Sequence, residues 1–151
     1  MMDEPVFTEV CEATGSAGDQ LVLPFESRQK ARQRVALRSG QYARLKLPRG
    51  TVLRGGDMLR GSSDLLVEVV AAPEAVSTLR CKDARLLARA AYHLGNRHVW
   101  VQVGNGWIRY LSDHVLDEML DVLGASVESE MAPFEPEAGA YSHNEHVDLA
   151  R

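Results

Sequence analysis

Five histidines are the side chains of this sequence best suited to chemistry: His93, His98, His114, His143 and His146. Imidazole is the commonest protein ligand for metals and titrates near neutral pH. The positions differ in what they allow. His93 follows Leu86 by seven residues and shares its helix face, so a packed or interfacial ring is favoured over a ligand. His98 comes just after Gly95 and Asn96, where it can project from a helix end. His114 falls in the first turn of a second helix. Spacing alone favours structural or surface roles for both. His143 and His146 lie three residues apart in an aperiodic segment and have no packing role. Metals bound by imidazole want roughly four to six ligands, so the spacing supports a weak, shared or flexible site and not a closed one.

Other chemistry is poorly supported. There is no Gly-x-Ser-x-Gly, no phosphate-binding Gly-x-x-x-x-Gly-Lys-Ser/Thr and no dinucleotide fingerprint. The Gly55-Gly56-Asp57 group reads as a turn. Cys11 and Cys81 stand seventy positions apart, which excludes Cys-x-x-Cys redox and zinc-finger patterns. Two reduced thiols in a cytoplasmic protein are expected, and the chain reads as no enzyme.

The elements that must position these histidines fall into two groups. At 151 residues, 45% hydrophobic and 25% charged, the chain has the composition of a globular protein and can build a core without disulfides. No apolar run reaches the ~20 residues a membrane helix needs, and the N-terminus has no secretory pattern. Up to about Ala72 the signal is β. Residues 21–23 and 65–70 are apolar runs, and 43–47 alternates apolar with basic. Turn signals at 39–40, 48–50, 54–57 and 61–63 predict a small all-β domain of hairpins. A linker is expected near Pro73.

Beyond it the period becomes helical. Leu86, Leu87, Ala90, Ala91 and Leu94 share a face behind an Asp83 N-cap, with Gly95-Asn96 as a left-handed stop. Strands are expected over 99–103 and 107–111, around the Gly104-Asn105-Gly106 turn. A second helix carries Val115, Leu116, Met119, Leu120 and Leu123 on one face, capped by Ser112 or Asp113 and stopped at Gly124. With outer strands near 76–79 and 126–130 the order is β-α-β-β-α-β, that of a ferredoxin-like unit. The fold class is therefore α+β. From Ala132 onward, with Pro133, Pro136 and Gly139 but no period, a mobile tail is expected.

Charge divides the same way. Residues 27–60 hold ten basic side chains against Asp57 alone, a balance of +9, while 111–150 hold ten acidic ones and no Lys or Arg. The basic segment offers an alternative function, a nucleic-acid binding module. Tyr42 is its one aromatic, so a stacking platform is missing and an exposed charged face explains it better.

Four blocks of sequence carry a family resemblance. Tyr92-His93-Leu94-Gly95-Asn96-Arg97-His98-Val99 and the run from Pro133 through Phe134-Glu135-Pro136-Glu137-Ala138-Gly139-Ala140 to Tyr141 are the specific ones. The stretches 47–54 and 113–120 agree with them. Together the chain resembles the urease accessory protein UreE family over nearly its whole length. The resemblance implies a homodimeric nickel metallochaperone for urease assembly, working with a urease accessory GTPase and the urease apoprotein complex. It implies a peptide-binding-like all-β domain over 1–72, a ferredoxin-like metal-binding and dimerisation domain over 75–140, and a flexible His-containing tail over 141–151. By position, His98 matches the histidine that meets its symmetry mate at the dimer interface. His143 and His146 match the region of the family's histidine-rich tails, in a shorter form. His114 matches one of a secondary pair whose other position is Ser112 here, and His93 belongs to the motif without being its main ligand. Zinc or copper could use the same donors.

Overall fold

The computed structural model describes residues 3–12 and 15–139, and these divide into two compact units meeting between Pro73 and Glu74. The first unit holds strands β1 (Val6–Cys11), β2 (Asp19–Leu23), β3 (Arg32–Ala36), β4 (Tyr42–Lys46), β5 (Met58–Gly61) and β6 (Val67–Ala71), with one short helix, α1 (Phe25–Arg28). They form a single six-stranded sheet in the order β2-β6-β5-β1-β4-β3. The alternation over 43–47 works as expected: Ala43, Leu45 and Leu47 are buried, and Arg44 and Lys46 face out. Phe7, Leu21, Val35, Leu37, Leu53, Leu59, Val67 and Val69 complete that core.

The sheet is not a set of hairpins. β3–β4 and β5–β6 pair antiparallel, but β1 runs parallel to β4 and β2 parallel to β6. Local turn signals report adjacent pairings and are blind to these long-range parallel ones. Arg28, one of the ten basic residues, is fully buried: its Nε donates to Leu23 O at 3.1 Å and its Nη1 to Leu53 O at 3.1 Å. Part of the apparent basic surface is thus internal structure.

In the second unit, β7 (Pro73–Arg80), α2 (Ala84–Asn96), β8 (Gln102–Gly104), β9 (Trp107–Leu111), α3 (His114–Val122) and β10 (Glu128–Pro133) follow the βαββαβ order. The sheet order β10-β7-β9-β8 brings the two outer segments of the unit together beside β9. Helix faces and strands share one core of Leu79, Ala90, Leu94, Ile108, Tyr110 and Leu120 among others. Asp83 and Asp113 cap the helices, each accepting two backbone N–H bonds.

Four local expectations are corrected. Only Ala72 separates β6 from β7, so the junction near Pro73 is strand-to-strand and not a linker. The strand expected over 99–103 begins at Gln102, because the chain before it is used in ending α2. Val115 is 58% exposed, lying at the rim of the helix face assigned to it. Finally, 132–139 is packed: β10 runs through Pro133, Phe134 is fully buried, Glu135 N–H donates to Gln102 Oε1 at 3.0 Å and Glu137 N–H to Val101 O at 2.8 Å. Proline and one buried ring fix this strap without any periodic pattern.

Candidate metal centre

His98 is the one described non-glycine residue with a left-handed backbone, at φ 58°. The reason is the way α2 ends. The helix continues through Gly95 and Asn96, neither of which is left-handed, and Arg97 is its C-cap. His98 N–H donates to Gly95 O at 2.9 Å and Val99 N–H reaches back to Leu94 O at 3.2 Å. That double bond pattern is a Schellman turn, which needs a left-handed residue between cap and exit. Leu94, fully buried, and Val99, packed on the same core, supply its apolar contact. The expected stop at Gly95-Asn96 therefore falls on the histidine instead. A side chain there costs about 1–2 kcal/mol relative to the right-handed region.

The turn points His98 into solvent beside the C-terminal end of α2, where the helix dipole favours a cation. His98 shares an open groove of about 390 Å³ with Trp100, Val101, Val103, Glu137 and Gly139. Two large apolar side chains of that groove are exposed: Trp100 at 47% and Val103 at 53%. Glu137 and Gly139 reach this groove because the Phe134 strap is bonded along residues 101 and 102.

The other histidines are placed differently. His93 is half-buried on α2, edge-on to the Tyr92 ring at 5.3 Å. His114 opens α3 with Nε2 2.9 Å from Glu118 Oε1 and lines a separate groove with Asp117 and Asp121. Ser112 offers His114 no partner; its Oγ lies 3.4 Å from Ser77 Oγ. His143 and His146 lie outside the described residues. Among the described residues, no three His, Cys, Asp or Glu side chains converge as a metal would require. Reasoning from the sequence missed Glu137, Gly139 and Trp100 as neighbours of His98. The signal was present in the block from Pro133 to Tyr141, but a segment without period gives no local reason to fold back.

No described helix is long and apolar enough to cross a membrane. Comparison with known proteins adds a family assignment for both units. Residues 6–72 match the model for the UreE urease accessory protein N-terminal domain, and 74–150 that for the UreE urease accessory protein C-terminal domain. A urease accessory protein UreE of Pseudomonas putida strain W619 is 53% identical over 142 residues, covering 93% of this chain and 88% of its own. The protein of the same name from Alkalilimnicola ehrlichii is 54% identical over 134 residues, covering 89% and 82%. That of Nitrosospira multiformis is 51% identical over 127 residues, covering 84% and 72%.

Proposed function

The chain belongs to the UreE urease accessory protein family, and from that premise we propose that it is a nickel metallochaperone for urease maturation. Nickel is its cargo, and it acts as a cytoplasmic homodimer without catalysing a reaction. The observation that carries this reading is His98: an exposed imidazole kept in a backbone conformation where glycine is cheaper. A packing role does not explain the cost, since the ring faces out.

Two copies related by a two-fold axis would present two His98 rings to one ion, which answers the shortage of converging donors among the described residues of one chain. The exposed Trp100 and Val103 beside His98 suit such a contact. Further ligands come from the tail: His143 and His146 stand four and seven residues past Gly139, within about 14 and 25 Å of chain reach. Few, exposed imidazoles fit a carrier that must release its ion, and because imidazole binds metal only when neutral, acidification promotes release. Delivery proceeds to a urease accessory GTPase and the urease apoprotein complex. Zinc and copper compete for the same donors, copper with the higher intrinsic affinity.

The test is nickel calorimetry on the parent and His98→Gly, with mass by light scattering. A dimer that binds nickel and a variant that does not are expected. A monomer with and without nickel, or unchanged affinity in the variant, would refute the reading.

A further inference from the structure

The basic segment of the first unit carries two like-charged cross-strand pairs, and among the described residues a carboxylate bridges one of them. Arg34 on β3 stands opposite Arg44 on β4, and Arg32 stands opposite Lys46 two residues along the same exposed face. Like charges facing each other across strands destabilise a sheet. At the first pair Glu4 resolves the conflict: its Oε1 lies 2.5 Å from Arg34 Nη2 and its Oε2 3.3 Å from Arg44 Nε. Other cations of the segment are also engaged, Arg60 by Glu9 and Arg38 by Gln20. At Arg32 and Lys46 no carboxylate is in place among the described residues. Arg49 joins them, and the three surround an open groove of about 620 Å³ with Thr8, Leu47 and Pro48.

We propose that this groove docks an acidic peptide segment of a partner protein, one of whose carboxylates takes the place at Arg32 and Lys46 that Glu4 holds at Arg34 and Arg44. The Glu4 bridge shows that the strand spacing lets one carboxylate span such a pair. The exposed Pro48 adds apolar contact for a neighbouring side chain of the peptide. Nucleic acid fits less well, because the adjoining Arg34 and Arg44 are already paired with Glu4 and the one aromatic of the face, Tyr42, has Arg34 stacked over its ring at 4.0 Å.

The experiment uses the full chain without nickel, so that it reads this groove and not the metal site. The probe is a fluorescein-labelled hexapeptide of alternating glutamate and valine, with its glutamine counterpart as control. The parent should bind the glutamate peptide only, with affinity falling as salt is added. Combining Arg32→Gln with Lys46→Gln should weaken binding about tenfold or more, charge-assisted bonds being the stronger class. Arg38→Gln should leave it unchanged. Lys46→Glu should abolish binding while raising Tm, because it supplies the missing carboxylate internally. Equal binding by the double variant, equal binding of the glutamine peptide, or tighter binding of a single-stranded RNA hexamer would overturn the proposal. So would dissociation of the dimer in the double variant, which would make this face a contact between copies.

Discussion

His98 and Gly124 hold the same place in two copies of one helix-ending turn. Gly124, at φ 89°, donates to Asp121 O at 2.9 Å while Ala125 reaches back to Leu120 O at 2.9 Å, repeating the bonds of His98 and Val99 at the end of α2. One turn uses the residue that backbone sterics prefer and the other an imidazole. His98→Gly should therefore keep or raise stability, by up to about 1 kcal/mol, while removing nickel affinity. Gly124→Ala should lose about 1 kcal/mol in the same denaturant titration. A destabilised His98→Gly would mean that the ring is a packing residue.

Among the histidines the loss of nickel affinity should rank His98→Ala first, then His143→Ala or His146→Ala, and His114→Ala last. Symmetry doubles the central substitution, whereas tail ligands can substitute for one another. The His114 side chain is 87% exposed and, among the described residues, paired with Glu118, an arrangement of little energetic weight. Calorimetry on four variants reads this order. Retained affinity in His98→Ala alongside loss in a tail variant would make the tail the carrier.

Tyr110 and Asp117 tie β9 to α3 through a 2.5 Å bond from the phenol to Asp117 Oδ1. Burial first, then this bond, pushes the Tyr110 phenol above its ordinary value of 10.0. Since the folded value is the higher one, the unfolded chain loses its proton first. The contribution is complete below pH 10 and declines as pH rises toward the folded value. Tyr110→Phe should cost about 1–2 kcal/mol at pH 7 and flatten the alkaline decline of stability. Unfolding curves from pH 7 to 11 would show an unchanged decline if the phenol were not responsible.

The strap should be coupled to the groove. Phe134 is fully buried, and replacing it with Ala should cost about 3–5 kcal/mol. Loosening the strap also frees Glu137 and Gly139 from the side of His98. Nickel affinity should then fall even where the variant remains folded, and faster hydrogen exchange at the Glu137 amide should accompany it. Unchanged exchange there would place the strap's anchor elsewhere.

Much of this protein was legible in the order of its residues. The β-to-helical change near Pro73, both helices with their aspartate caps, the βαββαβ order and the alternating face of 43–47 all depend on interactions within a few residues, which period and capping chemistry report. The histidine motif carried the family. What the sequence did not disclose depends on contacts distant along the chain. The parallel β1–β4 and β2–β6 pairings join segments whose local patterns say nothing about each other. The carboxylate of Glu4 lands thirty and forty residues away, and only the register of three strands makes it a bridge. At His98 the sequence placed a stop two residues early, because Gly95 is the residue best able to turn left-handed. The turn falls instead where Leu94 and Val99 can both meet the core, and tertiary burial outweighs the local preference of the backbone.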